Sequence, residues 1–67
     1  MVELTKNNIK YLMMENNKSM LDIADALNIS LSTAYAKVRE EQEFKLDEIR
    51  QLGRLFNVDF VVKKEGN

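Results

Sequence analysis

Apolar residues recur at helical spacing in the first part of the chain. Ile9, Leu12 and Met13 stand at i, i+3 and i+4, which places them on one face of a helix. Thr5 precedes this stretch and is a residue type that caps helix N-termini. The pattern therefore predicts a first helix that begins after Thr5 and ends near Asn16.

A second helix and a tight turn are predicted between Ser19 and Ile29. Ser19 and Asp22 have the spacing of a capping box, which marks a helix start. Ile23 and Leu27, at i and i+4, give the helix an apolar face. Asn28 follows, and its short polar side chain tolerates the left-handed backbone that ends many helices.

A third helix is predicted to begin after Ser30, a candidate N-cap, and to extend from about Leu31 to Arg39. Ala34 and Val38 lie at i and i+4 and are expected to face inward. The opposite face then carries Ser32, Tyr35, Ala36 and Arg39. Two short helices joined by a tight turn over residues 19–39 are typical of a helix-turn-helix unit.

The next segment is charged and is followed by a fourth apolar stripe. Residues 40–45 hold three glutamates and a single apolar anchor, Phe44. Asp47 and Glu48 suit the first turn of a helix, where acidic side chains complement the helix dipole. A fourth helix is predicted to reach about Phe56, with Asn57 ending it as Asn28 ends the second.

The tail changes period, because Val58, Phe60 and Val62 alternate with other residues. This alternation favours a strand, and no other segment is predicted to be one. A lone strand would have two unpaired edges, so we expect residues 58–64 to pair with a second copy across a two-fold axis. Val58, Phe60 and Val62 are the predicted dimerisation residues. The alternative is an irregular or single-turn helical tail that packs Phe60 on the core.

Composition narrows the function classes. The 67 residues form one domain, 1–67, with no cysteine and no histidine, so the commonest metal ligands and the commonest general base are missing. We expect no enzyme, no metal, no cofactor and no small-molecule partner. No apolar run has the roughly 18 residues of a membrane span, and no signal peptide is evident, so a cytoplasmic protein without a membrane partner is expected.

The run from Ala24 to Ser30, followed by Ser32 and Thr33, resembles the Cro and lambda-repressor-like class of helix-turn-helix proteins. The later pairs Glu43-Phe44 and Asp47-Glu48 are similar to those of small phage-type regulators in that class. The resemblance implies a mainly α fold, a compact bundle of four to five helices with or without a C-terminal strand. It also implies a homodimer that binds palindromic operators in double-stranded DNA and represses transcription.

The resemblance assigns the reading face to the third helix. The residues expected to contact DNA there are Leu31, Ser32, Thr33, Tyr35, Ala36 and Arg39, and Lys37 is expected to neutralise a phosphate. Arg39 can bind guanine or clamp a phosphate, or it can pair with Glu40 or Glu43. Ser32 and Thr33 can contact DNA or help cap the helix.

The charge distribution leaves a second function open. The net charge is −1, whereas nucleic-acid-binding domains are often clearly basic. Leu31 stands where the family usually has a polar reader, and the glutamates of residues 40–43 would repel phosphates. The alternative is therefore a protein interaction module, antirepressor-like, that keeps the helix-turn-helix fold without strong DNA binding.

Overall fold

The computed structural model describes residues 1–63 of the chain, and the domain is mainly helical with a short two-stranded sheet. The four helices are α1 (Lys6–Asn16), α2 (Met20–Leu27), α3 (Leu31–Val38) and α4 (Leu46–Phe56). The strands are β1 (Val2–Glu3) and β2 (Phe60–Val61). All four helices lie within about two residues of the positions that the apolar spacing predicts.

Side-chain caps fix where the first three helices begin. Thr5 Oγ1 accepts a hydrogen bond from the backbone N–H of Asn8 at 3.1 Å. Ser19 and Asp22 form the predicted capping box, with the Asp22 N–H donating to Ser19 Oγ and the Ser19 N–H donating to the Asp22 carboxylate. The N–H of Ser19 and, to a smaller extent, its hydroxyl donate to the Asp22 carboxylate and lower the pKa of Asp22. Each cap satisfies N–H groups that have no partner inside the helix.

Left-handed asparagines end three of the helices. The φ angles of Asn17, Asn28 and Asn57 are 53°, 57° and 58°, and their backbone N–H groups donate to carbonyls of the preceding turn. Asparagine adopts this conformation more readily than most non-glycine residues. The two helix ends predicted at Asn28 and Asn57 are confirmed.

The core forms where α2 packs against α3 and α4. Its fully buried residues with the largest side chains are Ile9, Ile23, Val38 and Leu52. Ala34 is also fully buried, so the predicted inner face of α3 is confirmed. Phe44 packs against this core from the charged segment, as predicted.

The tail strand is confirmed, but the prediction that the chain offers it no partner is wrong. β1 pairs with β2 in parallel, with Val2 opposite Phe60 and Glu3 opposite Val61. The Val2 N–H donates to the Asp59 carbonyl and the Leu4 N–H to the Val61 carbonyl, both at 2.8 Å. A strand of two residues has too little sequence for an alternating pattern, so β1 could not be detected from periodicity.

The tail approaches α4 very closely at Gly53. The Val58 N–H donates to the Gly53 carbonyl at 2.9 Å, and a Cβ atom on Gly53 would lie 2.6 Å from the Val58 carbonyl oxygen. Only glycine allows this approach, because its α-carbon bears no side chain. Among residues 1–63, no helix is long and apolar enough to cross a membrane.

Candidate functional site

Four of the seven predicted DNA-contacting residues are exposed on the outer side of α3 and its C-cap, namely Leu31, Ser32, Tyr35 and Arg39. Leu31, Tyr35 and Arg39 follow one another at intervals of four, so they form one ridge along the helix. Leu31 is 43% exposed and Tyr35 is 41% exposed. We call Leu31, Tyr35 and Arg39 the α3 ridge. The tight turn at Asn28 holds α3 against α2, so that the ridge faces outward while Ala34 and Val38 face the core.

The hydroxyls at the start of α3 belong to a small hydrogen-bonded cluster. Ser30 Oγ accepts from the Thr33 N–H at 3.2 Å and donates to Thr33 Oγ1 at 2.8 Å. Ser32 Oγ lies 3.2 Å from the same Ser30 oxygen. Ser32 is exposed, whereas Thr33 and Ala36 are partly buried. The hydroxyls of Ser32 and Thr33 thus take part in the cap that Ser30 forms, in agreement with the capping alternative. Ser32 remains exposed to solvent.

Arg39 is held by two neighbours at the end of α3. Its guanidinium carbon lies 5.7 Å from the centre of the Tyr35 ring, a cation–π arrangement. Its Nε lies 3.4 Å from the Glu41 carboxylate, with both side chains more than half exposed. The ion-pair partner is thus Glu41, whereas the alternative to a DNA contact named Glu40 or Glu43.

The prediction for Lys37 requires a correction, because its side chain does not lie on the exposed side of α3. The residue is only 6% exposed, and its ammonium group donates to Glu48 Oε1 at 2.8 Å and to the Glu43 carbonyl at 3.0 Å. A buried and paired ammonium cannot neutralise a phosphate. The position next to Val38 turns the side chain inward, where its aliphatic part packs and its charge meets α4.

The Lys37–Glu48 pair joins α3, α4 and the segment between them. Burial by itself raises the pKa of Glu48, but the hydrogen bonds from Lys37 and from the Lys45 N–H outweigh it, so the pKa lies below its ordinary value. Glu48 therefore stays charged at neutral pH. The pair fixes the position of α4 relative to α3.

The acidic segment after α3 divides its carboxylates among different neighbours. Glu40 has a left-handed backbone, with φ of 67°, and its carboxylate accepts from the Lys6 N–H at 3.1 Å. That N–H belongs to the first turn of α1, where the helix dipole favours an anion. Glu41 pairs with Arg39, and Glu43 contributes its backbone carbonyl to Lys37. One carboxylate of the three is thus drawn to α1.

The predicted dimerisation residues do not share one environment. Val58 and Phe60 pack against the core of their own chain, whereas Val62 is 51% exposed. The alternative reading of the tail was therefore right about Phe60, although not about the strand. Lys64, the last residue of the predicted segment 58–64, lies outside the described residues.

Sequence reasoning missed Glu41 and Glu48 as partners of Arg39 and Lys37. Arg39 and Glu41 are two residues apart, a spacing that brings side chains together only because the helix has ended. Lys37 and Glu48 lie on different helices, and no periodicity links them.

Comparisons of the chain with protein-family models, with curated proteins and with solved structures gave no match.

Proposed function

We propose that the protein is a sequence-specific DNA-binding transcriptional regulator of the Cro and lambda-repressor-like helix-turn-helix class. In this proposal α3 is the reading helix, and the protein represses transcription from a palindromic operator in the cytoplasm. The observation that carries the proposal is the α3 ridge, which stands exposed on a helix whose opposite face is buried in the core.

The dimensions of α3 suit the major groove. An α-helix with its side chains is about 10–12 Å in diameter, and the major groove of B-DNA is about 12 Å wide. Helix-turn-helix proteins place their second helix in this groove and contact base edges from its exposed side. The turn at Asn28 and the capped start of α3 supply a rigid element of this kind.

The acidic segment is less of an obstacle than its sequence indicates. Glu40 is held at the N-terminus of α1 by the Lys6 N–H, and the dipole of that helix partly offsets its charge. Glu41 is compensated by Arg39. Lys37, in contrast, is buried. Among the described residues, Arg39 is therefore the one cation that α3 and its C-cap offer to DNA.

Arg39→Ala is expected to weaken binding to a duplex selected from a random pool by about tenfold or more, since a bidentate contact to a base is worth about 1–3 kcal/mol. Arg54→Ala is the matched control. It removes the same charge from α4, at a cleft lined by Met1 and Asp59, and should change the affinity less than twofold. Fluorescence anisotropy with labelled duplex measures both.

Wild-type binding should also fall steeply with salt, because phosphate contacts release counterions. Absence of binding at about 50 mM salt and micromolar protein would remove the DNA proposal. Equal losses for Arg39→Ala and Arg54→Ala would show that only net charge matters and that α3 is not the reader.

A protein interaction module is the second candidate function. It is favoured by the apolar character of the exposed ridge, since Leu31 and Tyr35 stand in solvent four residues apart. Exposed apolar side chains that lie together often mark interaction sites. A protein that binds no duplex, and whose binding to a regulator is weakened by Leu31→Ala, would belong to this class.

We further propose that the regulator is a homodimer that pairs through the open edge of β2. The carbonyls of Asp59 and Val61 point to β1, so the backbone groups of Phe60 point to the opposite side. These groups bond to no backbone group among residues 1–63, so the edge can accept the same edge of a second copy across a two-fold axis.

Val62→Asp is expected to convert the dimer to a monomer in sedimentation, because it places a charge beside the pairing edge without touching the core. Leu46→Asp is the control, since Leu46 is 66% exposed at the start of α4 and should leave the dimer intact. Phe60 is unsuitable for this test because it packs on its own core. A wild type that sediments as a monomer at about 100 μM would overturn the dimer.

A further inference from the structure

We infer that Arg39 reads a guanine in the major groove, and that Glu41 and Tyr35 are the positioning residues that hold its guanidinium for this contact. The inference rests on the proposed DNA-binding function and names the base that the site selects. It assigns to the acidic segment a role in base specificity, whereas the sequence of that segment indicates only repulsion of DNA phosphates.

The two neighbours constrain different parts of the guanidinium. The guanidinium carbon lies over the Tyr35 ring, 5.7 Å from its centre, and the Glu41 carboxylate lies at the Nε edge, 3.4 Å away. The edge formed by the two terminal amino groups remains, and it makes no hydrogen bond within residues 1–63. The ring and the carboxylate restrain the guanidinium and leave this edge available to a ligand.

That remaining edge matches guanine better than the other bases. Two parallel N–H donors require two neighbouring acceptors, and guanine presents O6 and N7 together in the major groove. Adenine presents one acceptor beside one donor, cytosine presents a donor, and thymine presents one acceptor beside a methyl group. The contact therefore distinguishes guanine from the other three bases.

Glu41 also argues for a base and against a phosphate as the partner. The carboxylate compensates the charge of Arg39, so the pair as a whole attracts a phosphate weakly, and the carboxylate itself repels it. The ion pair involves Nε, so the N–H donors of the two terminal amino groups stay available. Arg39 can therefore still form directional hydrogen bonds to a neutral base.

The position of Arg39 on α3 supports the same conclusion. It continues the ridge of Leu31 and Tyr35 at intervals of four residues, so all three side chains lie on the line of the helix surface that would face the floor of the groove. Tyr35 lies between Leu31 and Arg39 in this line, and its ring contacts Arg39.

The first experiment probes single atoms of the DNA. In a duplex selected by the wild-type protein, each guanine in turn is replaced with 7-deazaguanine, which lacks the N7 acceptor. We expect one guanine of each half-site whose replacement lowers wild-type affinity about fivefold or more, and no effect of the same replacement on Arg39→Ala. If Arg39→Ala weakens binding but no guanine is sensitive, Arg39 contacts phosphate and the inference is overturned while the proposed function remains.

The second experiment tests Glu41 against Glu43, which carries the same charge but does not pair with Arg39. Glu41→Ala should raise affinity for unrelated duplex, because a negative charge is lost, and should lower the discrimination between guanine and adenine at the sensitive position severalfold. Glu43→Ala should raise affinity for both duplexes alike and leave the discrimination unchanged. If the two variants behave alike, Glu41 does not position Arg39. If the wild type binds no duplex, the proposed function itself fails.

Discussion

Lys37→Ala is expected to lower the free energy of unfolding by about 3–5 kcal/mol, because it removes one member of a buried ion pair and leaves the other charge uncompensated. The Glu48 carboxylate would keep the Lys45 N–H but lose the ammonium group that pairs with it, and the Glu43 carbonyl would lose a donor. A domain of this length is typically stable by about 3–10 kcal/mol. The loss is a large fraction of that stability, so the variant should unfold at a clearly lower urea concentration than the wild type when followed by circular dichroism.

The double variant Lys37→Met with Glu48→Leu is the control for this prediction. Apolar replacement of both members of a buried pair is often neutral or stabilising, so the double variant should recover most of the lost stability. Its acid response should differ as well. Because the pKa of Glu48 is lowered from its ordinary value of 4.5, the wild type should lose the contribution of the pair as the pH falls below that value through the folded-state pKa, and the double variant should not. A Lys37→Ala protein as stable as the wild type would contradict the pairing.

Gly53→Ala is expected to destabilise the protein by about 1–3 kcal/mol, the usual cost of forcing an added methyl group into a packed site. Alanine in place of a helical glycine ordinarily stabilises by about 1 kcal/mol. The sign reverses here because the new Cβ would lie 2.6 Å from a backbone oxygen of Val58, which can move only if the tail moves. Thermal unfolding measures the change.

An exposed position on the same helix supplies the comparison for Gly53. Gln51→Ala should leave the midpoint temperature of thermal unfolding unchanged or raise it slightly, because Gln51 is exposed and alanine is the better helix former. Gly53→Ser should be at least as destabilising as Gly53→Ala. A midpoint that rises in Gly53→Ala would mean that the tail does not approach α4 as described.

The helices could be predicted from the sequence because their determinants are local. Ser19 with Asp22, and the left-handed Asn28 and Asn57, act within a few residues of themselves, so spacing alone reveals them. The predicted inward positions Ala34 and Val38 are correct for the same reason, since the helical period fixes which residues share a face.

The parts that could not be predicted depend on residues far apart in the chain. The pairing of β1 with β2 joins the first residues to the last described ones, and the position of Lys37 depends on Glu48 arriving from another helix. A lysine between an alanine and a valine has no local signal that separates an exposed charge from a buried one. Because Lys37 is buried and paired, it is no longer a candidate DNA contact. Glu41 pairs with Arg39 only because the chain turns at the end of α3.

The parallel sheet has a consequence for the path of the chain. Val2 lies opposite Phe60, so the polypeptide nearly closes on itself, and the two ends of the described chain meet at one side of the domain. A short linker between them, combined with a cut in the polar connection at Asn17 and Lys18, would produce a circular permutant with the same four helices and the same core. Exposed connections of this type are the sites where such rearrangements succeed. The order in which the elements follow one another is thus separable from the architecture that they form.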